Sequence, residues 1–213
     1  MIILILLIIP LITAVACVLT GKHSVSKYIS IAGSFLALLY NIFLNYNIYV
    51  HRSLLGLNGF FYMDALSILT TQIVTIIGFA SSLYSAGYMA AELHEGVVTE
   101  RKLRWYYFLF HMFIFTMLLV CVTNNLGIMW VAIEATTLST TFLVGFYNKK
   151  QHQEAAWKYI IICTVGITLA LFGVILTYHS SKGVLGEIGY ALNWTDLLTV
   201  ADRFEPHLIK LAF

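Results

Sequence analysis

Six stretches of this chain are almost free of charged side chains, and short polar segments divide them. An α-helix rises 1.5 Å per residue, so about 20 mostly apolar residues are needed to cover the ~30 Å hydrocarbon layer of a bilayer. By that measure the pattern predicts membrane-spanning helices over residues 2–20, 28–48, 66–89, 105–122, 126–146 and 157–178. A seventh apolar run opens at Leu208, in Leu208-Ile209-Lys210-Leu211-Ala212-Phe213, where the sequence stops. The expected fold class is therefore all-α: a polytopic transmembrane helix bundle of six spans and the start of a seventh. The first run lacks a basic amino-terminal region and is longer than the apolar core of a secretory leader, so it reads as a span. Residues 180–206 are more polar and are expected to form an exposed loop.

Composition agrees with lipid as the solvent. The chain is 60% hydrophobic and only 10% charged, with a mean hydropathy of +0.87. A soluble domain carries roughly 25% charged residues, and this chain could not cover itself with a polar surface in water. The formal net charge of +2 is too small to suggest a nucleic-acid partner. Where the cations fall matters more. Connections after the odd-numbered spans hold Lys22, Lys27, Arg101, Lys102, Arg104, Lys149 and Lys150, whereas those after the even-numbered spans hold only Arg52, Lys182 and Arg203. Cytoplasmic loops are enriched in Lys and Arg, so the amino terminus is expected on the periplasmic side of a cell inner membrane. Trp105, Trp130 and Trp157 fall at or near span ends, with Trp130 deeper than an interfacial belt requires.

Charged groups inside hydrocarbon are costly and mark function, which singles out Glu134. It lies eight residues into the fifth span, about 12 Å from that span's start at 1.5 Å per residue. Holding a carboxylate there costs at least ~2.5 kcal/mol on insertion scales. Burial favours the neutral acid and a nearby cation favours the carboxylate. A group set between these pushes takes up and releases a proton when its partner moves; the alternative is a static, hydrogen-bonded carboxyl between helices. Thr136, Thr137, Ser139, Thr140 and Thr141 follow it, small hydroxyl residues that allow close helix packing or hold water.

Lys158, one residue inside the sixth span, is the second proton-translocation candidate. It could instead snorkel to the interface or pair with Glu154 four residues earlier, while Val165 and Gly166 on its face leave room for an aqueous cavity. His111, in the middle of the fourth span, is a candidate proton relay or a satisfied core histidine. Asp64, just before the third span, is a candidate relay or a helix cap. Cys17, Cys121 and Cys163 each sit in an apolar run and read as small buried hydrophobes. No phosphate loop, nucleophile elbow, metal-ligand spacing or cysteine cluster occurs, so no cofactor, metal site or catalytic residue is expected.

Several of these segments resemble one known family. The run Asn124-Asn125-Leu126-Gly127-Ile128-Met129-Trp130-Val131-Ala132-Ile133-Glu134 is similar to the start of the proton-translocating domain in antiporter-like membrane subunits. Such subunits occur in respiratory complex I, Mrp-type sodium/proton antiporters and membrane-bound hydrogenases. Glu154-Ala155-Ala156-Trp157-Lys158-Tyr159-Ile160-Ile161 resembles the next helix of that family, and Met63-Asp64-Ala65-Leu66-Ser67 and Tyr84-Ser85-Ala86-Gly87-Tyr88-Met89 resemble its third. The segment Ala191-Leu192-Asn193-Trp194-Thr195-Asp196-Leu197 resembles hydrogenase-4 component F.

The resemblance implies that residues 1–122 form amino-terminal helices one to four and that residues 123–213 begin the proton-translocating domain. It implies that Glu134 is the family's fifth-helix channel glutamate and Lys158 its sixth-helix lysine. The lysine that usually partners the glutamate lies on a broken seventh helix, beyond Phe213, and Lys210 does not match it. The chain is thus expected to be an amino-terminal fragment, truncated or completed by a second polypeptide. The implied function is a proton-translocating subunit, not catalytic alone, of a hydrogenase or NADH-dehydrogenase-type oxidoreductase complex. Its partners would be the lipid bilayer, other membrane subunits, and protons or sodium ions. The alternatives are a membrane partner subunit of an inorganic-carbon uptake system, or a non-functional remnant.

Overall fold

The computed structural model describes residues 2–20, 23–147, 149–185, 191–204 and 206–212. Lys22, residues 186–190 and 205 of the expected loop, and Phe213 lie outside the described residues. The elements are α1 (Ile2–Leu19), α2 (His23–His51), the strands β1 (Leu54–Gly56) and β2 (Phe61–Met63), α3 (Ala65–His94), α4 (Glu100–Val122), α5 (Leu126–Val144), α6 (Lys150–Leu185), α7 (Trp194–Val200) and α8 (Pro206–Ala212). Helices α1 to α6 are each long and apolar enough to cross a bilayer. The protein is a multi-pass membrane protein, as the hydropathy pattern predicts.

Three differences from the expected elements are informative. Helices α2, α3, α4 and α6 overrun the apolar windows: α6 has 36 residues and begins at Lys150, so that it takes in Glu154. Hydropathy marks only the part of a helix immersed in lipid, whereas helical hydrogen bonding continues into the interface. A two-stranded antiparallel hairpin, with Leu54 opposite Met63 and Gly56 opposite Phe61, fills the α2–α3 connection. The described residues of the 180–206 stretch do not form the exposed loop expected from their polarity. Ala191, Asn193, Leu197 and Val200 are buried, and the segment contains α7.

Six alternating helices give the bundle two ends, one carrying the hairpin and the other carrying the α3–α4 and α5–α6 connections. Buried positions on α1 recur at helical spacing, from Ile3, Leu6 and Leu7 through Pro10, Thr13 and Ala14 to Cys17. This face packs between α2 and α4. Helices α1 and α2 lie close together at Gly33, where a Cβ would overlap the side chain of Thr13. Apolar residues including Leu6, Leu44, Met63 and Leu118 cluster at the hairpin end, and Cys17, Met89, Leu103 and Tyr107 cluster at the other. Buried polar residues of α2, α3 and α4 occupy the depth between them.

Helix starts are satisfied locally. The Asp64 carboxylate accepts from the Ser67 amide at 2.8 Å, and the Asn125 side-chain oxygen accepts from the Gly127 and Ile128 amides at 3.0 and 3.2 Å. Such caps contribute about 1 kcal/mol in water, and an orphan amide facing lipid costs more. Helix α8 lies against α6 at Gly173, where a Cβ would stand 2.7 Å from the Ala212 carbonyl oxygen. Only hydrogen at that Cα allows the approach.

Candidate functional site

The site is built on α5, whose start is locked before its first turn. Asn124 is buried to 2% exposure. Its amide nitrogen donates to the Gly59 carbonyl at 2.8 Å and to the Thr195 hydroxyl at 2.9 Å, and its side-chain oxygen accepts from the Thr195 amide at 3.2 Å. Main-chain bonds run alongside, from the Asn124 amide to the Phe60 carbonyl and from the Trp194 amide to the Asn124 carbonyl. Asn125 pairs with Asn193 in an isolated bridge, and its amide donates to the Asn193 side-chain oxygen at 3.2 Å. Hairpin, α4–α5 turn and the start of α7 with Asn193 before it thus meet in one clasp. The sequence assigns these asparagines no structural role, because nothing local shows that residues 124 and 195 meet.

One turn before Glu134, the Trp130 indole donates to the Ile167 carbonyl of α6 at 2.7 Å. This explains the depth of Trp130: its N–H is committed inside the bundle and not at the interface. Further along, Thr140 and Tyr159 are side-chain neighbours. These two crossings fix the antiparallel register of α5 and α6. Glu134 is level with Cys163 and Thr164, and Lys158 is level with Thr140, six residues or about 9 Å further along the axis at 1.5 Å per residue.

Glu134 is partly exposed as a residue, yet its Oε2 atom is buried and finds no hydrogen-bond partner among the described residues. The hydroxyls that follow it do not fill the gap. Thr136, Thr137, Ser139, Thr140 and Thr141 each donate to the carbonyl four residues earlier on α5, at 2.8 to 3.2 Å. Their protons are committed to the backbone, and they offer Glu134 only lone pairs. Beyond Glu134 a groove of about 480 Å³ opens between α5 and α6, lined by Leu138, Thr141, Gly145, Gln153, Ala156 and Trp157 among others.

The other sequence-predicted residues fall elsewhere. Lys158 donates to the Glu154 carboxylate at 2.6 Å, with side chains 70% and 61% exposed, and no ion pair or hydrogen bond joins it to Glu134. Val165 lines a shallow groove on the open face of α6, and a Cβ at Gly166 would meet nothing within 4 Å. Asp64 caps α3 at the hairpin end. His111 is 1% exposed within the α1–α4 bundle, its Nε2 2.9 Å from the Ser30 hydroxyl.

At the opposite end, Tyr147 in the α5–α6 turn donates to the Tyr88 hydroxyl at 3.4 Å and stacks edge-on against His152, with ring centroids 5.6 Å apart. Burial first, then the bond to Tyr88 and the nearby Glu92 carboxylate, push the Tyr147 hydroxyl well above the ordinary tyrosine range. This grouping draws on three separate elements, and nothing in the sequence joins them.

Comparison with known proteins follows the same outline. The family profile described as NADH:quinone oxidoreductase/Mrp antiporter, transmembrane, matches residues 123–199. That of the complex I NADH-ubiquinone oxidoreductase chain 5 N-terminus matches residues 53–96. The hydrogenase-4 component F homolog of Methylacidiphilum infernorum is 35% identical over 193 residues, which are 91% of this chain and 39% of that protein. The NADH-ubiquinone oxidoreductase chain 5 of Allomyces macrogynus is 30% identical over 138 residues, 62% of this chain and 20% of that one. Among solved structures, a chain of the membrane-bound sulfane sulfur reductase, an archaeal respiratory membrane complex, superposes with a TM-score of 0.78 at 19% identity, covering 99% of this chain and 42% of its own. A chain of respiratory complex I from Thermus thermophilus gives 0.69 at 21% identity, covering 97% and 41%. These two share the fold. The chain spans less than half the length of each of these relatives. It belongs to the antiporter-like family of membrane subunits, whose members serve complex I, Mrp antiporters and membrane hydrogenases.

Proposed function

We propose that this chain is a proton-translocating part of a hydrogenase- or complex I-type assembly in the cell inner membrane, with its amino terminus on the periplasmic side. Glu134 is the titrating carboxyl. The observation that carries this reading is the buried Oε2 atom without a partner, on a helix whose hydroxyl protons are committed to the backbone. An unpaired buried carboxyl oxygen costs free energy unless a donor reaches it. That donor, a cation or a water chain, comes from outside the described contacts, and its arrival and departure set when Glu134 holds or releases a proton.

Lys158 serves as a reserve cation in this scheme. It rests on Glu154 about one and a half turns beyond Glu134, and opening that exposed pair frees its charge to act on the α5–α6 groove. Asp64 holds the start of α3 and takes no part in proton transfer.

The test is Glu134→Gln in the complete assembly, reconstituted in proteoliposomes. Glutamine keeps the shape and loses the titration. The assembly should form in wild-type amount and lose coupled proton uptake. Proton uptake at the wild-type rate would end the proposal.

A further inference from the structure

The groove between α5 and α6 is built on two helical stripes. Leu138, Phe142 and Gly145 face it from α5, and Gln153, Trp157 and Ile160 face it from α6. Three- and four-residue steps keep each set on one side of its helix. Each stripe covers about 10 Å at 1.5 Å per residue, starting at the α5–α6 turn and ending one turn past Glu134. One leaflet supplies half of the ~30 Å hydrocarbon layer, so the groove follows most of a single leaflet's depth. A second, shallower groove of about 540 Å³ shares Ile160 and runs on along the open face of α6 to Leu169. The Thr141 and Thr168 hydroxyls on these walls donate to the carbonyls four residues earlier. What the walls offer a ligand is therefore apolar contact.

Charge lies at the mouth. Lys149 and Lys150 are exposed, and neither makes an ion pair among the described residues. They stand four and three residues before Gln153, at the head of the α6 stripe that lines the groove. The positive end of the α6 dipole points to the same place. Lys158, three residues before Ile161, heads the second groove and shares its charge with Glu154.

An apolar helix face alone selects no ligand, because lipid covers it. The shape of this groove does select. Where α8 seats on α6, it does so over Gly173, a residue small enough for backbones to meet. The α5–α6 groove instead carries Phe142 and Trp157, both large and exposed. They hold a helix backbone off and leave room for a slender chain. Trp157 also suits the depth at which headgroups begin.

We propose that this groove is a binding site for one anionic diacyl phospholipid. Its phosphate lies at Lys149 and Lys150, one acyl chain fills the α5–α6 groove, and the other rests on Ile161 and Val165. Basic pockets between helices at a membrane surface hold such headgroups. The site does not depend on whether Glu134 titrates.

The test uses the complete assembly in nanodiscs, with a phosphatidylglycerol tracer that carries a photoactivatable group on its acyl chain. Labelled peptides should fall within residues 138–145 and 153–165, and phosphatidylcholine with the same chains should label them far less. Lys149→Gln combined with Lys150→Gln should weaken phosphatidylglycerol labelling roughly 30-fold, about 5-fold for each cation. Thr141→Phe, which fills the groove, should abolish labelling of 138–145 with both lysines in place. Equal labelling by the two lipids, or unchanged labelling in the lysine double variant, overturns the site. So does a density map of the assembly with a protein helix seated in the groove. If Thr141→Phe fails to assemble, the lysine variant decides. Labelling is read without proton uptake, so this result stands or falls apart from that at Glu134.

Discussion

Asn124 and Thr195, 71 residues apart, are joined by two side-chain hydrogen bonds, one from the Asn124 amide to the Thr195 hydroxyl at 2.9 Å and one from the Thr195 amide to the Asn124 oxygen at 3.2 Å. The same Asn124 amide also reaches Gly59 in the hairpin. One buried side chain therefore ties two separate segments, the hairpin and the start of α7, to the start of α5, the helix that carries Glu134.

Replacing Asn124 with Ala removes all three bonds and leaves buried partners behind. At roughly 1 kcal/mol per bond the loss is about 3 kcal/mol. Thr195→Val, which keeps the main-chain bond, should lose about 1 kcal/mol. Thermal unfolding in detergent checks the ranking, and limited proteolysis should cut residues 191–204 faster in Asn124→Ala.

Gly33→Ala should destabilise the α1–α2 contact by about 1–3 kcal/mol, the usual cost of overpacking. The overlapping atoms belong to Thr13. Thr13→Ala should therefore restore part of the loss, and a double-mutant cycle in thermal unfolding should give a coupling term well away from zero. Additive effects would show that the two positions do not touch.

Trp130→Phe keeps the aromatic bulk and removes the N–H that bonds to Ile167. A loss of about 1 kcal/mol is expected. Because this bond sets the α5–α6 register beside Glu134, coupled proton uptake should fall by more than the stability change alone explains, measured against thermal midpoints of the same preparations.

The Glu154–Lys158 pair is mostly exposed, so Lys158→Met should change stability by no more than about 0.5 kcal/mol. Any loss of pumping then reflects the charge and not folding. Glu154→Gln frees the lysine and should move pumping in the direction opposite to Lys158→Met, in the same proteoliposome assay.

Tyr147 gives a pH signature. Its folded-state value lies above the ordinary one, so the neutral hydroxyl is the form the fold accepts. The stability this contributes is complete below about pH 10, the unfolded value, and is lost as pH rises from there towards the folded value. Tyr147→Phe should raise the alkaline unfolding midpoint, followed by circular dichroism in detergent.

Much of this architecture is legible in the sequence because lipid reads one property at a time. A run such as 66–89 has to be a span, and Glu134 stands out as a charge inside one. The cap at Asp64 follows from its place before Ser67, and the Glu154–Lys158 pair follows from four-residue spacing. The clasp does not, since Asn124 and Thr195 look like ordinary loop residues until the chain brings them together. Nor does the register of α5 on α6, which depends on where the Trp130 indole finds a carbonyl. The threonines after Glu134 are legible as packing residues, but the commitment of their protons to the backbone is a matter of rotamer, which sequence does not carry.

Helix α6 runs for 36 residues, about 54 Å at 1.5 Å per residue, against a hydrocarbon layer of ~30 Å. No ordinary tilt absorbs that difference, so the helix stands in water beyond the membrane. It is a stiff rod with a handle outside. One end carries Lys150, and the other carries Ser181, whose hydroxyl holds the Ala191 carbonyl at 2.6 Å, two residues from the clasp at Asn193. Between those two ends the rod runs alongside Trp130 and Glu134 of α5, so one continuous helix borders both the clasp and the site.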